Sequence, residues 1–220
     1  MSILSIKGLT HVFDNKVLFD NADLTVNNGE HIGVVGLNGA GKSTFMNIIS
    51  GRLSQDAGEI KWLSGIRFGY LDQHANIDRS QTVMQYLQGS FSRLFTLNEA
   101  LENLYAAMGE ETDPDKLDAM ITKSSRMQEQ LEDADFYDLD SQIKKVAGGL
   151  GISAFGYDTV ISKLSGGQRA KLMLAKLLRE NLDVMLLDEP TNFLDLEHIE
   201  WLRKFLDGYK GTFILISHDT

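Results

Sequence analysis

The sequence predicts an α/β fold built on an open sheet, and three short segments carry that prediction. The first is Gly36-Leu37-Asn38-Gly39-Ala40-Gly41-Lys42-Ser43-Thr44, a full match to G-x-x-x-x-G-K-[ST]. The second is Val184-Met185-Leu186-Leu187-Asp188-Glu189, four apolar residues that end in two carboxylates. The third is Leu164-Ser165-Gly166-Gly167-Gln168, which opens an apolar helical stretch at Ala170–Leu178.

The run Glu30–Val35 is apolar and β-branched enough to be a buried strand, and Ser43–Ser50 reads as a helix. Strand, glycine loop and helix together separate a phosphate-binding loop from a chance glycine-rich turn. Glycines at 36, 39 and 41 let the backbone curl so that successive N–H groups point at phosphate oxygens. The helix N-terminus adds partial positive charge at the same point. Lys42 can then reach the β- and γ-phosphates, and the Ser43 hydroxyl can ligate Mg²⁺. Asn38, Ala40 and Thr44 complete the loop as candidate nucleotide contacts.

Asp188 falls at the C-terminal end of its strand, which is where open α/β sheets bind ligands. It is placed to hold Mg²⁺, directly or through water. Glu189 follows and can accept a proton from an attacking water, or orient it. A strand alone could equally end in a solvated acidic turn; the upstream phosphate loop favours a site. Ser165, Gly166, Gly167 and Gln168 make a second helix start with free N–H groups, another anion-binding terminus.

Bulk properties bound the rest. With 220 residues, the chain fits one core plus an elaboration, at roughly 100–200 residues per domain. A hydrophobic share of 43% is ordinary for a globular chain. No run of 18 apolar residues occurs, so no membrane span is expected, and Met1-Ser2-Ile3-Leu4 does not read as a signal peptide. The absence of cysteine excludes disulfides and is compatible with a reducing, cytoplasmic location. A net charge of −10 argues against a generic nucleic-acid binder.

Phosphate loop, Leu-Ser-Gly-Gly-Gln and the Asp-Glu strand occur in the order of the ATP-binding-cassette (ABC) ATPases, and the resemblance covers essentially the whole chain. It implies a P-loop NTPase fold of ABC type that binds ATP and Mg²⁺. An N-terminal antiparallel β subdomain would use Ile3–Lys7, Val17–Val26 and Gly58–Leu71. Residue by residue, Phe13 resembles the aromatic that stacks on adenine, though an ordinary core Phe is an equal reading. Gln73, after the strand-like Ile66–Leu71, resembles the Q-loop glutamine that contacts Mg²⁺ or water. Asp195 resembles the D-loop aspartate. His218, after the strand Thr212–Ile216, resembles the switch histidine at the γ-phosphate. The resemblance assigns Ser165, Gly166, Gly167 and Gln168 to the ATP held by a second domain, because these ATPases pack head to tail. One copy of each motif therefore makes two half-sites. The chain is expected to be the N-terminal fragment of a longer protein, or a domain that pairs with another copy. His11, His31, His74 and His198 match no motif and are expected at the surface or in packing.

Ninety residues separate Gln73 from Leu164. Within them Thr96–Met108 shows apolar residues at helical spacing, Gly109–Asp113 breaks the pattern, and Pro114, capped by Asp113, opens a second helix to about Glu132. Two helices and a short turn make an antiparallel hairpin. A hairpin in this place resembles the arm of the ABC-F proteins, soluble tandem ABC ATPases that act on the ribosome. Asp188-Glu189-Pro190-Thr191-Asn192-Phe193-Leu194-Asp195 resembles ABC-F too, although that family most often has His where Phe193 stands. The segment 90–145 holds thirteen Asp/Glu against six Lys/Arg, a net −7. Any contact with RNA would therefore fall to placed residues such as Lys123 and Arg126; otherwise the arm meets ribosomal protein.

These readings divide the chain into a first part of the core with the β subdomain and phosphate loop (1–84), a helical subdomain with the arm (85–144), and the signature helix, Asp-Glu strand and switch region (145–220). The implied function is ATP hydrolysis by an ABC-F-type protein on the ribosome, with rRNA, tRNA or ribosomal protein as partner. The alternative is the ATPase subunit of a membrane transporter, against which the long insertion argues. A structural clamp of the DNA-repair type would need long heptads or cysteines, and the chain has neither.

Overall fold

The computed structural model describes residues 1–71 and 77–217. Its chain order begins with β1 (Ser2–Phe13), β2 (Lys16–Asn27) and β3 (His31–Val34), then α1 (Lys42–Ile49), β4 (Ala57–Trp62) and β5 (Phe68–Tyr70). Four helices follow: α2 (Val83–Gln88), α3 (Ser92–Glu110), α4 (Pro114–Asp133) and α5 (Leu139–Gly149). The last part holds α6 (Gly166–Arg179), β6 (Val184–Asp188), α7 (Leu196–Asp207) and β7 (Thr212–Ile216).

The strands form two sheets. β2, β1 and β4 make an antiparallel three-stranded sheet, and β3, β7, β6 and β5 make a parallel four-stranded sheet in that order. The two central strands, β6 and β7, read as continuous apolar runs because both their faces are covered. In β6, Val184 and Leu186 join a cluster with Met46, Ile48 and Ile49 of α1 and Leu4, Ile6 and Leu9 of β1. Met185 and Leu187 face the other way, into a cluster with Leu172, Leu174 and Leu178 of α6 and Ile143 and Val146 of α5. The alternation along one strand thus joins the β subdomain to the helices through the central sheet.

The expected strand Gly58–Leu71 is corrected. Its first half, Ala57–Trp62, pairs with β1, whereas Phe68–Tyr70 leaves the antiparallel sheet and pairs in parallel with β6. A turn through Gly65, whose φ is 80°, separates the two. The helical hairpin comprises α3 and α4, longer at their starts or ends than the apolar spacing marks, because helix ends need no apolar residue. Asp113 caps α4 by accepting from the N–H groups of Asp115 (3.0 Å) and Lys116 (3.4 Å). Leu101, Met127 and Leu131 are buried between the two helices, and Tyr105 Oη donates across them to Gln128 Oε1 (3.0 Å). No helix among the described residues is long and apolar enough to cross a membrane.

Candidate nucleotide site

The phosphate loop sits between β3 and α1, at the C-terminal edge of the parallel sheet. Gly39 and Gly41 have φ of 73° and 94°, values that glycine adopts without strain. A side chain on Gly41 would also press on Leu18, 3.3 Å from its Cδ1. Within the loop, Ala40 N–H donates to Leu37 O (3.1 Å), closing a turn. The first helical bond of α1 runs from Phe45 N–H to Gly41 O (2.8 Å). The N–H groups ahead of Phe45 therefore lie at the open end of the helix, where its dipole is positive. Lys42 is largely buried, and its ammonium donates to Gly36 O (2.9 Å) and Leu37 O (3.2 Å). A cleft of about 410 Å³ opens here, lined by Asn38, Gly39, Gly41, Lys42, Ser43, Thr44 and Glu189.

Asp188 ends β6, and Tyr70 Oη donates to its Oδ2 (3.4 Å). Glu189 takes a left-handed backbone, φ 48°, with its N–H bonded to Ile216 O (3.0 Å). Asn192 Nδ2 donates to Glu189 Oε2 (2.7 Å) and holds that carboxylate from the following turn. The sequence thus brings the loop and Glu189 to one cleft from positions about 150 residues apart.

Ser165 caps α6 in a capping box. Its Oγ accepts from Gln168 N–H (3.2 Å), and Gln168 Oε1 accepts from Ser165 N–H (2.8 Å). Ser165 and Gly166 are exposed, and no residue of 165–168 lines the cleft beside Lys42. The starts of α1 and α6 are therefore not brought together at this cleft. Asp195 lies at the start of α7, largely exposed, 3.6 Å from Lys171 Nζ on α6. Phe13, at the end of β1, is 58% exposed, which removes the core reading for that ring. Gln73 and His218 lie outside the described residues.

Several contacts at the site carry no local sequence signal. Lys16 Nζ donates to Gly39 O (3.0 Å), tying β2 to the phosphate loop. Phe193 lies against Gly167, whose added Cβ would be 3.6 Å from the ring. The capping turn of Asn192 on Glu189 could have been suspected from their three-residue spacing; the others join distant segments. Among the remaining histidines, His31 stacks on Phe213 (4.2 Å between ring centroids) and His198 Nδ1 bonds Gly149 O (3.0 Å). His11 is buried on β1, 3.4 Å from Asp56 Oδ2, and His74 is outside the described residues.

Among the described residues no three His, Asp or Glu cluster to hold a metal by themselves. That fits Mg²⁺, which keeps waters and is bound through one or two carboxylates plus substrate phosphates. Ser43 and Asp188 supply a hydroxyl and a carboxylate of the required kind.

Comparison with known proteins agrees with this geometry. The family described as "ABC transporter" matches residues 19–192. An ABC transporter ATP-binding protein of Bacillus subtilis, YfmM, is 46% identical over all of this chain and 42% of its own length. The tylosin resistance ATP-binding protein TlrC of Streptomyces fradiae is 34% identical over 99% of this chain and 40% of its own. The energy-dependent translational throttle protein EttA of Escherichia coli K12 is 36% identical over 92% of this chain and 36% of its own. The chain thus spans about two fifths of the length of these relatives. Among solved structures, the ATP-binding subunit of an ABC transporter superposes with a TM-score of 0.66 at 17% identity, covering 99% of this chain and 80% of that one. That likeness establishes the fold.

Proposed function

Since the chain belongs to the ABC transporter family and carries its ATP-binding domain, we propose that it serves in an ABC-F-type protein that acts on the ribosome. Domains of this family bind ATP and, as a class, hydrolyse it. The observation that carries the finer reading is the helical hairpin α3–α4, with its own small apolar cluster of Leu101, Met127 and Leu131. It stands in a chain similar to proteins named for tylosin resistance and for translational throttling.

In this reading the loop N–H groups and Lys42 hold the β- and γ-phosphates. Ser43, Asp188 and Gln73 would hold Mg²⁺, which would supply positive charge against the phosphates. Glu189, oriented by Asn192, positions the attacking water and accepts its proton. Phe13 stacks on adenine, and His218 contacts the γ-phosphate. Ser165 to Gln168 and Asp195 act on ATP held by a second ABC domain, in the same protein or in another copy. The absence of residues 165–168 from the cleft of their own chain supports that division. The hairpin's exposed Lys123 and Arg126 are its candidate RNA contacts, with ribosomal protein as the alternative partner of its acidic surface.

The test is co-sedimentation with ribosomes of the whole protein carrying Glu189→Gln, with ATP, before and after removal of residues 96–132. ATP-dependent association that weakens on removal, with ATP binding intact, is the expected result. Absence of association, with co-purification of a membrane permease, would favour the subunit of a transporter.

A further inference from the structure

We infer that Lys16 is a positioning residue that locks the β1–β2 hairpin, and with it the Phe13 ring, onto the phosphate loop. The inference rests on the reading of Phe13 as the base-stacking ring. Asp14 and Asn15 both take positive φ, 47° and 64°, and make a tight two-residue turn between β1 and β2. That turn sets Phe13 directly across the ladder from Lys16. Opposed residues leave a sheet on the same face, so ring and ammonium project together. The Lys16 ammonium then reaches Gly39 O at 3.0 Å, on the wall of the cleft beside Lys42. One step further, the ladder passes from Val12–Val17 to His11–Phe19 and leaves Leu18 unopposed. Such a bulge re-aims a side chain, and Leu18 lies against Gly41 of the same loop. The hairpin therefore meets the phosphate loop at two points, one polar and one apolar. Base recognition and phosphate recognition, which come from different sheets, are coupled through these contacts. A ring on an unanchored hairpin would have to be ordered anew with each nucleotide bound.

The experiment compares ATP with inorganic tripolyphosphate, which has no base, by calorimetry on the full chain. The variants are Lys16→Met, Phe13→Ala and the two combined. Lys16 is exposed, so its replacement leaves the core intact. Lys16→Met is expected to weaken ATP about three- to tenfold, the range of one hydrogen bond, with tripolyphosphate affinity unchanged. In the Phe13→Ala background the same substitution should have no further effect on ATP, because no ring remains to be positioned. Equal weakening of ATP and tripolyphosphate would overturn the inference and make Lys16 a phosphate contact. Unchanged ATP affinity in Lys16→Met, with Phe13→Ala still weakened, would overturn the anchor alone. Unchanged ATP affinity in Phe13→Ala would remove the stacking reading, and the anchor with it.

Discussion

Glu189 holds a backbone conformation that non-glycine residues seldom adopt, at φ 48°. Such a position costs on the order of 1–3 kcal/mol and persists only where the surroundings over-determine it. Here the N–H is bonded to β7 and the carboxylate to Asn192, so the strained turn aims an acid at the phosphate cleft. Glu189→Gln keeps the shape and removes the proposed base. It is expected to leave ATP affinity intact and slow hydrolysis by roughly 10²–10⁴-fold. Single-turnover hydrolysis at the wild-type rate would rule out that role. Lys42 is proposed to act on binding instead. A charge-assisted hydrogen bond contributes about 1.5–3 kcal/mol, so Lys42→Ala should weaken ATP·Mg²⁺ roughly 10- to 100-fold. Calorimetry reads this directly, and an unchanged dissociation constant would show that the loop N–H groups anchor the nucleotide without the lysine.

At the scale of elements, the hairpin has a small core of its own. Leu131 is fully buried among Leu101, Met127 and neighbouring apolar side chains of α3. Leu131→Ala should cost about 2–5 kcal/mol where the cavity cannot collapse. Because the buried residues of this cluster are distinct from those on the sheet and meet the helical cluster through Phe136, the loss should appear first as faster amide exchange in α3 and α4. ATP affinity should not change; a matching loss of ATP binding would show that the hairpin and the site are one cooperative unit. The hairpin was legible in the sequence because helical period, a proline start and an aspartate cap are local signals. The fate of Phe68–Tyr70 was not. Its partner β6 lies more than a hundred residues away, and the apolar run from Gly58 does not reveal where one sheet ends. The phosphate loop and the Asp188-Glu189 strand could be read for the same local reason as the hairpin. The contacts of Lys16 and Leu18 with that loop could not, because they depend on how the antiparallel sheet leans on the parallel one.

At the scale of the whole molecule, the parallel sheet carries apolar side chains on both faces and joins the β subdomain to the helices. Two helix starts suited to phosphate belong to this body: that of α1, entered through Gly41, and that of α6, closed by the capping box of Ser165 and Gln168. Residues 165–168 are absent from the wall around Lys42, which supports the proposal that they act on nucleotide held elsewhere. We propose that a complete ATP site forms only when a second such domain supplies the missing helix end. The most direct test is the rate of ATP hydrolysis per mole of this chain over a concentration series, with its mass followed by light scattering. Near-background turnover is expected for the monomer, with a steep rise as pairs form, because pairing obeys mass action. A concentration-independent turnover on the order of 1 s⁻¹, within the usual range of enzymes, from a proven monomer would contradict it.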